Sequence, residues 1–218
     1  MPTETIHSVA VLGLGTMGHG IAQAFSAAGY TVSCFDESPA ARASLHTRVQ
    51  SNLMAAVESG IDLSDEIEPI LSRLQIFDHE AKAVSDVDFV TEAIKEDLGV
   101  KQELFKRLES SVRPDTILAS NSSSFPISQA GSRMKSLARA LVTHWFNPPH
   151  LVPLVEVVPG PGTEGEVIQK TMAVLRTLGK HPILLRKELP GFLVNRIQVA
   201  IQREVWDLLE RGVASAEE

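Results

Sequence analysis

The chain has 218 residues, of which 44% are hydrophobic and 22% charged, and its formal net charge at pH 7 is −7. This composition is typical of a globular protein with one good-sized domain, or one domain with an appendage. The acidic balance, without a run of Lys or Arg, disfavours nucleic acids and membranes as partners. Because no apolar run reaches about 18 residues and the N-terminus lacks a signal-peptide core, we expect a cytoplasmic protein. The single cysteine, Cys34, excludes an intramolecular disulfide.

Strand-like and helix-like segments alternate along most of the chain. This alternation predicts an α/β fold of the Rossmann type, with a doubly wound, mostly parallel sheet and helices on both faces. The predicted strands are apolar runs at 7–15, 31–36, 74–78, 87–94, 115–121, 138–145, 154–160 and 181–186. The predicted helices, with apolar residues at helical spacing, cover 16–29, 39–59, 64–74, 97–112 and 166–179, and a further helix starts near Pro126.

The end of the chain has a different pattern. Apolar residues recur at helical spacing after Pro190-Gly191, which predicts one long amphipathic helix over 192–211. Its apolar face could dock on its own domain, on a second copy, or on helices that this chain lacks. We therefore expect a domain boundary near residue 188, which divides the chain into 1–188 and 189–218.

A glycine-rich segment follows the first predicted strand and begins the first helix. Its sequence is Gly13-Leu14-Gly15-Thr16-Met17-Gly18, and Asp36 ends the next strand. This pattern is the dinucleotide-binding fingerprint, whose glycines allow a tight turn, close approach of the pyrophosphate and close helix packing. Asp36 would bind the ribose hydroxyls, and Glu37-Ser38 offers no adjacent arginine, so NAD is preferred to NADP. The alternatives are FAD as the ligand, or a tight turn that binds nothing.

Three serines follow another predicted strand, which ends at Asn121. Ser122, Ser123 and Ser124 place hydroxyl groups at the edge of the sheet where open α/β folds bind ligands. The same serines could instead cap the helix that starts near Pro126. The sequence leaves both interpretations open.

An ionisable ring and a carboxylate lie in otherwise apolar runs. His144 ends one predicted strand, and Glu156 lies in the middle of the next. Burial of an unpaired carboxylate is costly, whereas a carboxylate bonded to an imidazole is satisfied and fixes the ring's tautomer. We interpret His144 as a general base that takes a proton from an alcohol beside a nicotinamide, and Glu156 as the group that orients it. The other histidines show no metal-ligand spacing, so no metal is expected.

Taken together, these segments resemble the L-3-hydroxyacyl-CoA dehydrogenase family, including its L-gulonate 3-dehydrogenase or lambda-crystallin branch. The matching segments are VLGLGTMGHGIAQAFSAAGYTV, VTEAIKEDLGVKQELFKRL, ILASNSSSFPIS, HWFNPP with PLVEVVPG, and PGFLVNR, in the family's order. The resemblance implies an NAD-dependent oxidoreductase that interconverts an L-3-hydroxyacyl substrate and its 3-keto form. The substrate it implies is a CoA thioester. It also implies a homodimer and a role in fatty acid metabolism.

The resemblance assigns roles to residues at the matching positions. It implies that His144 and Glu156 form the catalytic pair, while Ser123 and Asn195 hold the substrate oxygen as it becomes a carbonyl. Asn147 would help to hold the loop after His144. The residues implied to lie beside the cofactor are Glu92, Lys101 and Asn121, together with the glycine-rich segment and Asp36.

The resemblance also implies that residues 1–188 are the NAD-binding domain. Residues 189–218 would then be the first helix of a truncated helical domain for substrate binding and dimerisation. CoA-binding members contact CoA through a serine and a lysine after the second strand, where this chain has Asn52 and Ser59. The alternatives are a free 3-hydroxy acid dehydrogenase of the L-gulonate or carnitine type, and a non-catalytic NAD-binding or crystallin-like protein.

Overall fold

One eight-stranded sheet organises the computed structural model, which describes residues 6–60 and 67–218. The strand order is β3-β2-β1-β4-β5-β6-β7-β8, so the order reverses between β1 and β4. The strands are β1 Ser8–Leu12, β2 Thr31–Phe35, β3 Leu74–Ile76, β4 Phe89–Glu92, β5 Ile117–Ser120, β6 Ala140–Trp145, β7 Leu154–Pro159 and β8 His181–Leu184. The doubly wound α/β prediction is confirmed.

Nine helices connect these strands within the described ranges or follow the last strand. The predicted helix over 39–59 is two helices that meet at Ser44, and a short helix at 80–84 was not predicted. Residues 64–66 of the predicted helix at 64–74 lie outside the described residues. The helices are α1 Gly18–Ala27, α2 Pro39–Ala43, α3 Leu45–Glu58, α4 Ile67–Ser72, α5 Glu80–Val84, α6 Leu98–Ser111, α7 Ile127–Ala130, α8 Gly165–Thr177 and α9 Val194–Glu210.

Helices cover both faces of the sheet, and each face has its own hydrophobic cluster. The first cluster contains Phe25 of α1 and Leu53 of α3, and α8 contributes Leu175. The second contains Phe105 of α6 and Ile127 of α7. Because both faces are covered, the central strands are mostly apolar and do not alternate regularly with polar residues. Because the strands are buried in this way, they form a rigid base for the loops at their carboxyl ends.

One pair of neighbouring strands is antiparallel. All other pairs in the sheet are parallel, but β6 and β7 run in opposite directions and place His144 directly opposite Glu156. Strands of this kind can be joined by a short connection, and residues 146–153 form it here. The connection is too short for the crossover helix that a parallel pair would need.

Helix α9 contributes no buried side chain, and Ile201 and Trp206 are 60% and 61% exposed. The residues just before it behave differently, since Phe192 is buried in the second hydrophobic cluster. A domain boundary near residue 188 stays a proposal. Among the described residues, no helix is both long and apolar enough to cross a membrane.

Asp88, the residue before β4, binds the start of β1. Its carboxylate accepts hydrogen bonds from the backbone N–H groups of His7 and Ser8, at 2.8 and 2.9 Å, and from Arg113 at 2.5 Å. Burial would raise the pKa of Asp88, but these hydrogen bonds outweigh it and lower the pKa from 3.8 to about 2. Its stabilising contribution is therefore present above pH 4 and is lost as the pH falls towards 2.

We expect Asp88→Asn to lower the free energy of unfolding at pH 7 by about 1 kcal/mol, the usual net contribution of such bonds. The difference from the parent should shrink between pH 4 and pH 2, measured by urea denaturation. Asp86→Asn is the matched control, because Asp86 bonds to the same arginine but its side chain is 88% exposed. An equal effect of both substitutions at pH 7 would contradict this account.

Candidate active site

A cleft of about 560 Å³ lies at the carboxyl ends of the strands, where the strand order reverses. Open α/β sheets bind ligands at this position. Of the residues singled out from the sequence, those that line the cleft are Gly13, Gly15, Thr16, Met17, Asp36, Asn121 and Ser123. The other two residues of the glycine-rich segment, Leu14 and Gly18, are buried. The cleft therefore brings together the loops after β1, β2, β4 and β5.

The three glycines each satisfy a different steric requirement. Gly13 has φ +88°, and a Cβ there would lie 2.5 Å from the carbonyl oxygen of Ala93. A Cβ on Gly18 would overlap the carbonyl oxygen of Gly13. At Gly15 a Cβ would meet nothing within 4 Å, so this backbone is open to a ligand. The segment leads into α1, whose first N–H groups have no partner within the helix and favour a phosphate.

Asp36 is held in place by backbone hydrogen bonds at the end of β2. Its carboxylate accepts from the N–H of Leu14 at 2.7 Å and from the N–H of Ser38 at 2.8 Å. Arg42 donates to the carbonyl oxygen of Asp36 at 2.6 Å. The sequence shows no arginine next to Asp36, but helix α2 brings this one beside it. A carboxylate fixed at this edge suits the hydroxyls of a ribose.

Glu92 and Lys101 lie behind the wall of the cleft and not in its lining. The side chains are 0% and 1% exposed, and the Lys101 ammonium donates to Glu92 at 2.6 Å. Glu92 also accepts from the Ser120 hydroxyl at 2.6 Å and from the N–H of Ile94 at 2.9 Å. A buried ion pair with this many hydrogen bonds satisfies both charges. In this structure the pair supports the loop after β4, and that loop forms the wall.

Glu96 is a site residue that the sequence reading missed. It lines the cleft, and one of its carboxylate oxygens accepts from the Ser122 hydroxyl at 2.6 Å and from the N–H groups of Ser123 and Ser124 at 3.0 Å. The other oxygen lies 3.2 Å from the Lys101 ammonium. Burial raises the pKa of Glu96, but the hydrogen bond from Ser122 and the charge of Lys101 outweigh it and lower the pKa.

The structure separates the roles of the three serines. The Ser122 hydroxyl is buried, accepts from the N–H of Phe125 at 2.8 Å and so closes a turn. None of the three serines caps α7, because Pro126 occupies the N-cap position of that helix. Ser123 lines the cleft with its backbone anchored by Glu96. This leaves the Ser123 hydroxyl as the one best placed for a ligand.

His144 and Glu156 form a buried hydrogen-bonded pair. Nδ1 of His144 lies 2.7 Å from Oε2 of Glu156, and their side chains are 4% and 0% exposed. The other carboxylate oxygen accepts from the backbone N–H groups of Leu193 and Val194, both at 2.9 Å. Burial raises the pKa of Glu156, but the bond from His144 and these two N–H groups outweigh it and lower the pKa.

The segment that leads into α9 closes on this pair. Phe192 has φ +49°, is 2% exposed, and its ring centroid lies 5.5 Å from that of His144. Asn195 donates from Nδ2 to the carbonyl oxygen of Ser123 at 3.2 Å. Because a left-handed backbone is unfavourable for phenylalanine, burial of this ring must compensate for the strain. Phe192 and the first turn of α9 thus join the His144–Glu156 pair to the loop that carries the three serines.

Asn121 links the pair to the cleft. Its side-chain oxygen accepts from the N–H of Trp145 at 2.9 Å, and Asn121 itself lines the cleft. Asn147 is exposed, and its role in holding the loop after His144 stays a prediction. Among the described residues, no group of three or more His, Cys, Asp or Glu side chains is arranged to hold a metal ion.

The comparisons with known proteins agree with this geometry. The family model described as "3-hydroxyacyl-CoA dehydrogenase, NAD binding domain" matches residues 8–189. The mitochondrial hydroxyacyl-coenzyme A dehydrogenase of Sus scrofa is 38% identical over 98% of this chain and 69% of that protein. L-carnitine dehydrogenase of Streptomyces coelicolor is 32% identical over 97% of this chain and 65% of that protein.

A solved structure extends the similarity to three dimensions. (S)-3-hydroxybutyryl-CoA dehydrogenase PaaH1 of Ralstonia eutropha superimposes with a TM-score of 0.91 at 32% identity, over 98% of this chain and 75% of that one. The chain spans about two thirds of the length of the two curated relatives. NAD is therefore the cofactor, and FAD is excluded as the ligand of the glycine-rich segment. The chain belongs to the 3-hydroxyacyl-CoA dehydrogenase family, and residues 8–189 form the family's NAD-binding domain.

Proposed function

We propose that this protein is an NAD-dependent oxidoreductase that interconverts an L-3-hydroxyacyl-CoA thioester and its 3-keto form. The observation that carries the proposal is the 2.7 Å hydrogen bond between His144 and Glu156, buried beside the dinucleotide cleft. A protein that only binds NAD has no need of a buried imidazole–carboxylate pair at this position. The pair therefore argues against a non-catalytic or crystallin-like role.

His144 is the general base of the proposed reaction. Because an ionised Glu156 can only accept hydrogen bonds, Nδ1 of His144 carries the proton and Nε2 is left as an acceptor. The imidazole can then take the proton of a substrate hydroxyl, and the charge that it gains is balanced by Glu156. The Phe146 and Phe192 rings lie 4.6 and 5.5 Å from the imidazole ring and exclude water from it.

Ser123 and Asn195 hold the substrate oxygen in this proposal. The Asn195 side chain reaches the Ser123 backbone, so the two polar groups lie side by side. Their donors would stabilise an oxygen that changes from hydroxyl to carbonyl while its proton goes to His144. Asn195 would hold the substrate from the first turn of α9, and Ser123 from the loop after β5.

The cleft holds the dinucleotide through the glycine-rich segment and Asp36. The open backbone at Gly15 and the N-terminus of α1 suit a pyrophosphate, and the fixed Asp36 carboxylate suits a ribose. NAD, when bound there, supplies the acceptor for the hydride of the alcohol carbon. Glu92 and Lys101 would act from behind the wall, where they fix the loop after β4.

A second candidate is a dehydrogenase of a free 3-hydroxy acid, such as L-gulonate or carnitine. The observation that favours it lies on α3, where CoA contacts are expected. Asn52 donates to Gln23 at 3.0 Å, and the Ser59 hydroxyl donates to a carbonyl of its own helix at 2.8 Å. Neither residue offers a cation for the CoA phosphates, and the Streptomyces coelicolor relative is an L-carnitine dehydrogenase. Both candidates use the same base and the same cofactor.

We expect His144→Gln to lower kcat by about 10²-fold or more, the usual contribution of a general base. Its dissociation constant for NAD should stay within about twofold of the parent, because His144 does not line the cleft. His181→Gln is the control, since His181 is exposed at the start of β8. Rates are measured by nicotinamide absorbance. An unchanged kcat in His144→Gln would end the assignment of this base.

A panel of substrates decides between the candidates. Formation of reduced nicotinamide is followed with 3-hydroxybutyryl-CoA, L-gulonate and carnitine at equal concentrations. We expect the CoA thioester to give a kcat/KM at least about tenfold above the free acids, because its long carrier adds binding energy to the reacting end. The reverse order would establish the free-acid candidate, and no turnover of any substrate would favour the non-catalytic alternative.

Asp36 should set the choice between NAD and NADP. We expect Asp36→Ala to raise the dissociation constant for NAD by about tenfold, since it loses hydrogen bonds to a charged group. The preference for NAD over NADP should fall, because the 2′-phosphate no longer meets a carboxylate and Arg42 lies beside it. Asp78→Asn is the control, with a side chain that is 70% exposed. Fluorescence titration with both dinucleotides measures the change, and an unaltered preference would refute the role.

Helix α9 supports the proposal of a homodimer. Its exposed apolar residues include Ile197, Ile201 and Trp206, each more than half exposed. Contiguous apolar surface of this kind marks an interaction site. We expect static light scattering at micromolar concentration to give twice the mass of one chain, and Ile201→Glu to shift the protein towards monomer. A monomer in the parent protein would contradict the proposal.

A further inference from the structure

Lys180 is a buried cation without an acidic partner. It precedes β8 and is 7% exposed, and among residues 6–60 and 67–218 no carboxylate lies within 4 Å of its ammonium. Burial lowers the pKa of Lys180 to about 8. A lysine kept in such surroundings is costly unless its hydrogen bonds are satisfied by fixed acceptors.

The acceptors are two carbonyl groups of the connection between β6 and β7. Nζ of Lys180 donates to the carbonyl oxygen of Pro149 at 2.7 Å and to that of Val152 at 2.9 Å. The same ammonium lies 5.5 Å from the centroid of the Trp145 ring, in cation–π geometry. Trp145 directly follows His144. Lys180 therefore contacts both the strand that carries the base and the connection that leads to Glu156.

Helix α1 holds the same connection from the other side. A Cβ on Gly20 would lie 2.7 Å from Cγ of Pro149 and 3.0 Å from Nδ1 of His150, so the helix and the connection are in close contact. Phe25 of α1 packs against Trp145, with ring centroids 6.0 Å apart. The connection is thus clamped between Lys180 and the helix that begins at the glycine-rich segment.

The geometry points to Lys180 as a positioning residue for the proposed reaction, one that fixes the His144–Glu156 pair relative to the dinucleotide by fastening residues 149–152 against α1. This inference rests on the proposed function of the pair. The imidazole must meet a hydroxyl whose carbon faces the nicotinamide, and a displacement of about 1 Å far from the reacting atoms can cost about 10²-fold in rate. Lys180 touches no reacting group and acts through the backbone.

The test compares Lys180→Met with the parent chain. Methionine keeps much of the apolar stem of lysine but donates no hydrogen bond. The connection between β6 and β7 therefore loses both bonds to its carbonyl groups. We expect kcat to fall about tenfold or more, while KM stays within about threefold and the dissociation constant for NAD within about twofold. Lys170→Met is the matched control, because it removes an ammonium that pairs with Glu166 on the surface of α8.

A spectroscopic measurement makes the test independent of turnover. The proton between Nδ1 of His144 and Glu156 should give a low-field NMR signal in the parent, identified by its loss in His144→Gln. We expect Lys180→Met to shift or broaden this signal, and Lys170→Met to leave it unchanged. If no substrate is turned over, the proposed function fails, yet this signal still reports whether Lys180 positions the pair.

A second variant covers the case in which Lys180→Met does not fold. Gly20→Ala presses on Pro149 from the side of α1, and alanine is favourable in a helix. We expect the same lowering of kcat and the same change in the His144 signal, with the circular dichroism spectrum retained. If Lys180→Met folds and retains both the parent kcat and the parent signal, the inference is overturned. If Lys180→Met does not fold, the same result in Gly20→Ala overturns it.

Discussion

The hydrogen bond between His144 and Glu156 is the interaction on which the rest of the site depends. A fully buried carboxylate is tolerable only when its oxygens are satisfied, and here one oxygen faces the imidazole while the other accepts from two backbone N–H groups. These N–H groups belong to Leu193 and Val194, the N-cap and the first residue of α9. The same carboxylate therefore orients the base and anchors the start of the last helix, so that the fold and the chemistry share one buried charge.

A second buried charge network supports the wall of the cleft that the loop after β4 forms. Lys101 lies between Glu92 and Glu96, and Glu96 in turn holds the serine loop by its backbone. Neither Glu92 nor Lys101 lines the cleft, yet their pairing fixes the loop after β4 against the loop after β5. Such networks tolerate no partial loss, because removing one member leaves an uncompensated charge in a low-dielectric interior.

The sheet sets how these two networks are arranged, because β5 is the one strand between β4, which carries Glu92, and β6, which carries His144. The strand order reverses between β1 and β4, which opens the crevice for the dinucleotide, and the antiparallel β6–β7 pair lies further along the same sheet. Asn121 connects the two regions through Trp145. Because the strands are buried on both faces, the loops at their carboxyl ends are carried on a rigid base, and small side-chain contacts can set distances across the site.

Much of the site could be read from local pattern. The glycine spacing, the acid at the end of β2, and the ionisable residues in apolar strands all reflect what a turn, a strand end or a buried strand allows. Glu96 could not be found in this way, because its partners Ser122 to Ser124 are 26 to 28 residues away. Local pattern likewise did not show that Glu92 and Lys101 pair with each other behind the wall of the cleft. Their expected place beside the cofactor stays a prediction.

What the sequence by itself determined was the succession of strands and helices, the dinucleotide loop, and the position of His144 and Glu156 in otherwise apolar strands. These follow from hydrophobic periodicity and from the conformational needs of glycine, which act over a few residues. Only the tertiary structure decided that β6 and β7 are antiparallel, that Arg42 lies at Asp36, and that Lys180 lies against the connection between β6 and β7. Those contacts depend on how whole elements pack, since the groups involved are distant in the chain or carry no local pattern.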